Sequence, residues 1–275
     1  MPHLLRSVLG LSVLLLTLST ALPSPAALAE DSPPQPGMRH VGPGLYKPFY
    51  PANPKQTTVP LRGFWLDARP VTNAEFLAFV KAQPTWQRGH IARLFADPGY
   101  LRHWAGPLAL GKTALPAQPV TWVSWFAARA YCRARGARLP MTDEWEFAAA
   151  ASEHAVDGRD DPGWRERILA WYGKPARGSL PAVGSTPENF WGIRDLHGVI
   201  WEWVADFQST LVAADDREAG DKDRLRFCGS GSLSARDTTD YASFMRIAFR
   251  SSLRGHYTTS TLGFRCARND PGVPE

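Results

Sequence analysis

Thiols are the side chains of this sequence best suited to redox or soft-metal chemistry. There are three of them, Cys132, Cys228 and Cys266. In an oxidising compartment three thiols permit one disulfide, in any of three pairings, and leave one sulfur over. Segment 229–268, GSGSLSARDTTDYASFMRIAFRSSLRGHYTTSTLGFRCAR, has the hydroxyls, arginines and aromatic rings of a lined pocket. Its only thiol is Cys266, close to its end.

Motifs of other catalytic classes are incomplete. The seven histidines show no HxxxH or HExxH spacing, so the sequence does not indicate a zinc hydrolase. In CGSGSLS, Ser234 stands where a dinucleotide-binding loop needs its last glycine. The GxSxG motif of many serine hydrolases is absent as well. Together these absences favour a binding pocket over a hydrolase.

The N-terminal residues have the order of a secretory signal. A single cation, Arg6, precedes an apolar run over 8–18, and small residues follow up to Ala29. The run is too short for a stable transmembrane helix, and there is no twin arginine and no cysteine at the expected cut. We therefore expect residues 1–29 to be removed on export, which places the mature chain in the periplasm or outside the cell.

The charge of the chain does not indicate a polyanion partner. Its formal net charge is +5, with 31 basic and 26 acidic residues interspersed. No dense block of lysine and arginine of the kind that binds nucleic acid occurs. Nucleic acid is therefore not an expected partner.

Three segments carry the signals of capped amphipathic helices. PVTNAEFLAFVKA has a capping box formed by Thr72 and Glu75, followed by apolar residues at helical spacing. The other two segments begin after Ser124 and Thr142, which we predict to be N-caps. The predicted helices cover about 73–81, 125–135 and 143–152.

Proline and glycine are frequent from Glu30 to about Pro60 and disfavour regular structure there. We expect an extended arm, flexible over 30–40, that runs into a first strand over about 62–67. Beyond the third helix the periodicity fades, which predicts short strands joined by long structured loops. The charged run ADDREAGDKDR, residues 214–224, is expected to be a solvated loop.

Four segments, in this order, resemble the formylglycine-generating enzyme, or sulfatase-modifying factor, family. They are RPVTNAEFLAFV, QPVTWVSWFAARAYCRARGARLPMTDEWEFAAAA, ENFWGIRDLHGVIWEW and LGFRCAR. The resemblance spans residues 41–269 and leaves 270–275 as a tail. It implies a single α+β domain with a modified C-type-lectin-like fold. Such a domain is loop-rich, with helices packed on a small, irregular antiparallel sheet.

The resemblance implies a disulfide between Cys132 and Cys266. Cys228 would then be the solitary thiol. Because the bridge closes a long loop, it should stabilise the fold by roughly 4 to 5 kcal/mol in the chain-entropy model. A clip of this kind suits a loop-rich chain.

The resemblance also implies a structural calcium ion at DLHGVIWE. The ligands would be the side chains of Asp195 and Glu202 and the backbone carbonyls of Gly198 and Ile200. Calcium takes several hard oxygen ligands, and two carboxylates offset its charge. In the alternative interpretation Asp195 caps a turn and Glu202 pairs with an arginine.

The copper chemistry of the family uses two neighbouring cysteines, and this chain has neither. The first position falls at Ala235 and the second falls within DTTDYASF. Copper(I) selects soft sulfur ligands, so hydroxyls cannot replace them. Cys228 offers one thiolate where linear coordination asks for two, and the sulfur of Met245 is the one other soft candidate nearby. We therefore expect neither bound copper nor standard formylglycine chemistry, and we keep Cys228 as a pocket candidate.

The frame of a pocket remains. Trp201 and Ser232 match family positions that line the substrate groove, and Arg246 and Arg250 match the arginines of its RxAxR piece. Tyr241 lies beside them in sequence and is a further lining candidate. Two alternatives stay open: the arginines pair with buried carboxylates, and the tyrosine serves packing.

Family branches without the thiol pair serve siderophore maturation or accompany copper nitrite reductase. TTDYASFMRIAFRSSLR is similar to the second, denitrification-linked branch. We therefore expect a periplasmic maturation or accessory factor that acts on a peptide, a peptide-derived metabolite or a metalloenzyme partner, and an oxidoreductase activity stays open. The alternative is a non-catalytic module that binds peptides or glycans. No membrane span is expected after signal cleavage.

Overall fold

The described part of the chain contains five α-helices. The computed structural model describes residues 36–49, 57–173, 179–207 and 240–271. Within these ranges the helices are α1 (Asn73–Ala82), α2 (Trp125–Ala134), α3 (Thr142–Ala150), α4 (Pro162–Tyr172) and α5 (Tyr241–Ser251), with a 3₁₀ turn at Pro84–Trp86. The predicted signal, Cys228, Ser232 and the charged run 214–224 lie outside the described residues. None of the described helices is both long and apolar enough to cross a membrane.

The first two predicted helices are confirmed to within one residue. In α1 the Thr72 hydroxyl accepts from the Glu75 amide at 3.2 Å, and the Glu75 carboxylate accepts from the Thr72 amide at 2.8 Å. In α2 the Ser124 hydroxyl accepts from the amide of Ala127. Reciprocal bonds of this kind satisfy the free N–H groups of a helix start.

The third helix starts one residue earlier than predicted. Met141 occupies the N-cap position, and the carboxylate of Glu144 accepts from its amide at 2.8 Å. Thr142 is inside the helix, because its amide and its hydroxyl both donate to Asp206 at 2.7 and 2.8 Å. Thr142, which the local sequence predicts to be the N-cap, therefore bonds to the distant residue Asp206 and does not cap the helix.

The proline-rich arm is more ordered than predicted. It contains three of the strands: β1 (Met38–Val41), β2 (Gly44–Tyr46) and β3 (Val59–Leu61). The predicted first strand is in fact the fourth, β4 (Phe64–Asp67). Pro43 lies between strands, and Pro60 lies in a two-stranded ribbon with β2, where a missing N–H is tolerated. The flexible arm predicted over 30–40 is wrong for Met38–His40, which pair with β4.

The strands form small sheets, as predicted. β4 is the central strand of an antiparallel sheet with the order β1–β4–β7, where β7 is Ala267–Asn269. One short pair is parallel instead and joins β5 (Trp201–Glu202) to β6 (Leu262–Gly263). This pair brings the tryptophan of the candidate pocket next to the C-terminal segment of the fold.

Helices α4 and α5 replace part of the predicted run of short strands and loops. Asp161 caps α4, with Pro162 as its first residue, and the side chain of Asp240 caps α5. The inner face of α5 includes Arg246 and Arg250 among its buried residues. Apolar residues do recur at helical spacing in this segment, at Ala242, Met245 and Phe249, although the buried face of the helix also holds charge.

The core packs α1 and α2 against the sheet. Phe76 of α1 contacts Tyr131 of α2 and Phe264, with ring centroids 5.8 and 6.0 Å apart. The disulfide between Cys132 and Cys266 is present, and both half-cystines are fully buried. This confirms the pairing that the resemblance implied, and it ties α2 to the start of β7.

Candidate functional site

A buried ion triad joins α3 to α5. The carboxylate of Glu146 accepts from Arg246 Nε at 3.0 Å and Nη2 at 2.6 Å, and from Arg250 Nη1 at 2.6 Å. All three residues are at most 5% exposed. Residues four apart lie on the same side of a helix, so both guanidinium groups reach one carboxylate. The arginines thus pair with a buried carboxylate, which is the alternative left open above.

The triad extends to α4. Arg246 Nη1 donates to the hydroxyl of Tyr172 at 2.9 Å, and its Nη2 donates to Ser243 at 2.7 Å. Burial raises the pKa of Glu146, but the charges of Arg246 and Arg250 and their hydrogen bonds outweigh burial and lower this pKa to about 2. The glutamate is therefore ionised at neutral pH and balances one of the two arginines.

Trp145 connects the triad to a second buried ion pair. The guanidinium of Arg250 lies over the Trp145 ring, 4.6 Å from its centroid, and the indole N–H donates to Glu202 at 2.7 Å. Glu202 also accepts from Arg265 Nε at 2.7 Å and Nη2 at 2.8 Å. Charges this deeply buried are stable only when paired. The network therefore fixes α3, α5 and β5 relative to one another.

The residues of the expected calcium loop are engaged by protein donors. One oxygen of Asp195 accepts from the amide of Thr186 at 3.0 Å, and the other accepts from the amide of Gly184. Both oxygens of Glu202 accept from Arg265. Gly198 has the positive φ of +93° that the loop requires. Asp195 therefore caps a turn and Glu202 pairs with an arginine, as the alternative interpretation of this loop expected.

These residues, as arranged, do not fit a calcium ion, because the carboxylate oxygens face N–H groups and not a shared centre. Over the described ranges, no group of three or more histidine, cysteine, aspartate and glutamate side chains is placed to hold a metal ion. A calcium ion at this loop remains a prediction of the family resemblance alone.

Trp201 belongs to an aromatic cluster between α4 and α5. Its ring stacks on Phe249 of α5, with centroids 4.5 Å apart and planes 27° apart. Trp171 and Tyr172 of α4 lie 5.7 and 5.4 Å from it. Each of the four rings is partly exposed. The cluster lies next to the ion network, because Tyr172 accepts from Arg246 and Trp201 precedes Glu202.

The structure does not bring Tyr241 into this cluster. Tyr241 is the first residue of α5, about 12 Å along the helix axis from Phe249. It is 51% exposed, and its ring contacts Phe244, with centroids 5.8 Å apart. Ser232 and Cys228 lie outside the described residues, so their placement beside Trp201 stays a prediction.

Acidic residues crowd the start of α3. Burial raises the pKa of Asp143 to about 6, and repulsion from Asp206, Glu146 and Glu144 adds to this shift. The carboxyl of Asp143 therefore titrates close to neutral pH. Asp206 is engaged by the amide and hydroxyl of Thr142, as described above.

Sequence reasoning missed Glu146 and Tyr172. Glu146 lies in WEFAAAA, an otherwise apolar stretch on a predicted helix. A charge in such a stretch requires a buried partner, and that signal was available. Tyr172 ends α4, a helix that was not predicted, so no sequence signal placed it near the arginines.

Comparisons with known proteins agree on the family. Residues 27–270 match the family described as the sulfatase-modifying factor enzyme 1-like domain. The formylglycine-generating enzyme of Streptomyces coelicolor is 30% identical over 92% of this chain and 97% of its own length. The inactive C-alpha-formylglycine-generating enzyme 2 of Bos taurus is 33% identical over 54% of this chain and 50% of its length.

Solved structures with a similar fold share less sequence. The structure of PvdO from Pseudomonas aeruginosa has 19% identity and a TM-score of 0.46, and the match covers 84% of this chain and 94% of that one. Since the family match covers most of the sequence, the chain belongs to the formylglycine-generating enzyme, or sulfatase-modifying factor, family.

Proposed function

We propose that the chain is an exported maturation or accessory factor that does not generate formylglycine by copper chemistry. The cysteine inventory carries this proposal. The sequence has three cysteines, and the disulfide uses Cys132 and Cys266. A single thiol, Cys228, remains, whereas a copper(I) ion held by protein thiolates needs two. The match to an inactive relative is in keeping with this loss.

The aromatic cluster supports binding of a peptide or a peptide-derived metabolite. Trp171, Tyr172, Trp201 and Phe249 present partly exposed rings, and aromatic walls contribute much apolar contact area at low entropic cost. The ion triad behind them fixes the helices that carry three of these rings. A metalloenzyme partner, as in the denitrification-linked branch, would present its peptide segment to this wall.

The first experiment tests oxidation. The purified mature chain is incubated with copper(I), oxygen and a sulfatase-derived cysteine peptide, and aldehyde is detected by hydrazide labelling. The Streptomyces coelicolor formylglycine-generating enzyme is the positive control. We expect no aldehyde from this chain. Aldehyde formation that depends on Cys228 would overturn the proposal.

A copper(I) titration addresses the remaining thiol directly. We expect the chain and its Cys228→Ser variant to give the same weak binding, because one thiolate cannot complete a linear site. Tight, stoichiometric binding that the variant loses would restore an oxidoreductase function. Neither result depends on knowing the natural substrate.

Export is tested on the full chain with a C-terminal tag in a Gram-negative host. We expect the tagged protein in the periplasmic fraction with Glu30 as its first residue. Retention in the membrane fraction with an intact N-terminus would contradict export.

The partly exposed rings also favour a second candidate, the non-catalytic peptide-binding module. A displayed random peptide library is selected on the purified chain, and binders are compared on Trp201→Ala and on Trp86→Ala. Trp86 is a partly buried tryptophan outside the cluster. Peptides that bind the unaltered chain and the Trp86→Ala variant but not the Trp201→Ala variant would show that the cluster binds them. If none of these peptides is chemically altered, the result favours the non-catalytic module over an enzyme.

A further inference from the structure

A groove of about 470 Å³ runs beside α2 and shares no residue with the aromatic cluster. One side of it is the outer face of α2, where Trp125, Arg129 and Arg133 follow at four-residue intervals. Side chains at this spacing line up along one face of a helix. The lining also includes Arg62, from the turn between β3 and β4, and Met141, at the start of α3.

The groove is strongly cationic for its size. Among the described residues that line it, four are arginines and one, Glu144, is acidic. Both oxygens of Glu144 accept from Arg138, at 2.7 Å each. Over the described part of the chain, Arg62, Arg129 and Arg133 form no ion pair with a carboxylate, and all three are exposed. Three positive charges therefore face the groove without a counter-charge from the described chain.

Part of the lining of the groove is apolar. Trp125 is partly buried there, its indole N–H fixed by a 2.9 Å bond to the carbonyl of Val204. Arg129 lies over the Trp125 ring, 5.1 Å from its centroid, which holds its charge above an apolar surface. Met141 adds a flexible thioether that is 42% exposed, and such side chains adapt to varied apolar partners.

We propose that this groove binds an acidic peptide segment of a partner protein. Carboxylates of the segment pair with Arg62, Arg129 and Arg133, and its apolar side chains pack on Trp125 and Met141. The apolar part of the lining favours a peptide over nucleic acid, because apolar side chains of a peptide can pack on Trp125 and Met141. In addition, the sequence has no dense block of lysine and arginine that would extend the site along a phosphate backbone.

The test measures binding of a labelled peptide of repeated Glu-Glu-Leu units to the purified mature chain by fluorescence anisotropy. The double variant Arg129→Gln/Arg133→Gln removes two groove charges. The matched control, Arg93→Gln/Lys112→Gln, removes two exposed charges elsewhere on the surface. A Gln-Gln-Leu peptide and a single-stranded DNA of equal charge are the ligand controls.

We expect the groove variant to weaken binding of the acidic peptide about fivefold, as loss of two exposed charge pairs would. The control variant should bind as the unaltered chain does, and added salt should weaken binding in both. Equal binding of the Gln-Gln-Leu peptide, or equal loss in both variants, would overturn the proposal. The proposal would also be overturned if the DNA binds more tightly than the acidic peptide and its affinity falls by the same factor in the groove variant. The groove would then be a general polyanion site.

Discussion

At the scale of single residues, Glu146 contributes most to holding the helices beside the aromatic cluster in place. From a fully buried position it forms ion pairs with both arginines of α5 and balances one of their two charges. A buried pair that loses one partner leaves an uncompensated charge, which costs far more than an exposed pair contributes. The glutamate is easy to find in the sequence, but its partners are about 100 residues further along the chain, so no local pattern links them to it. Only the fold could identify them.

Glu146→Gln should lower the free energy of unfolding by about 3 to 5 kcal/mol, because two arginines would stay buried without a counter-charge. The matched control is Glu153→Gln, whose partner Arg167 has a side chain that is 57% exposed. That change should cost less than about 0.5 kcal/mol. Urea denaturation of both variants measures the difference, and equal costs would refute the argument.

The same carboxylate predicts an acid-sensitive fold. Folding lowers the pKa of Glu146 from 4.5 to about 2, so its contribution is complete above pH 4.5. That contribution is lost as the pH falls through this interval. The stability gap between the unaltered chain and Glu146→Gln should therefore narrow over the same range. A gap that does not change with pH would contradict the assigned ionisation.

Asp143 predicts the opposite dependence. Folding raises its pKa from 3.8 to about 6, so the ionised form is penalised in the folded state. Stability is therefore lost as the pH rises through this interval. Asp143→Asn should stabilise the protein by about 1 kcal/mol at pH 7.5, after allowance for its partial exposure, and by nothing near pH 3.5. Melting temperatures at both pH values test this, with the exposed Asp160→Asn as the control.

At the scale of elements, α5 explains both the success and the limit of sequence reading. The motif identified Arg246 and Arg250 as pocket residues, but it did not predict the helix that presents them. The apolar residues of α5 recur at helical spacing and the side chain of Asp240 caps the helix, so a local signal was present but was not used. The same two signals, a local cap and an apolar face, predicted α1 and α2 to within a residue.

The loop before β5 allows a test of the calcium prediction. Asp195 and Glu202 already accept from protein N–H groups, so we expect the melting temperature to be the same with calcium and with a chelator. A ligand that binds only the folded state would raise it. A rise with calcium but not with magnesium, lost in Asp195→Asn, would establish the site that the family resemblance implies.

At the scale of the whole molecule, the disulfide ties the middle of the chain to the C-terminal part of a loop-rich domain. It joins residues 134 positions apart, from α2 to the segment that enters β7. A crosslink over such a distance removes much of the conformational freedom of the unfolded chain, and a domain whose described strands are short benefits accordingly. Its presence also leaves Cys228 without a partner cysteine anywhere in the sequence.

The free energy of unfolding of the double variant Cys132→Ser/Cys266→Ser should be about 5 kcal/mol lower than that of the unaltered chain, because the disulfide closes a loop of 134 positions. Cys228→Ser should leave the stability within about 0.5 kcal/mol if the thiol has no structural role. Guanidinium denaturation under non-reducing conditions provides the comparison. A loss below about 1 kcal/mol in the double variant would show that the bridge contributes little.

The sequence alone determined the starts of α1 and α2 and the number of thiols, because these follow from residue identity or from signals that span a few neighbours. Its motifs also identified the family, and the resemblance to that family implied the disulfide pairing, which residue identity by itself left open. The tertiary structure alone decided that Arg246 and Arg250 share Glu146, that Glu202 pairs with Arg265, and that Trp201 stacks on Phe249. Buried charges must find partners, and the partner that lies within reach depends on how distant segments pack.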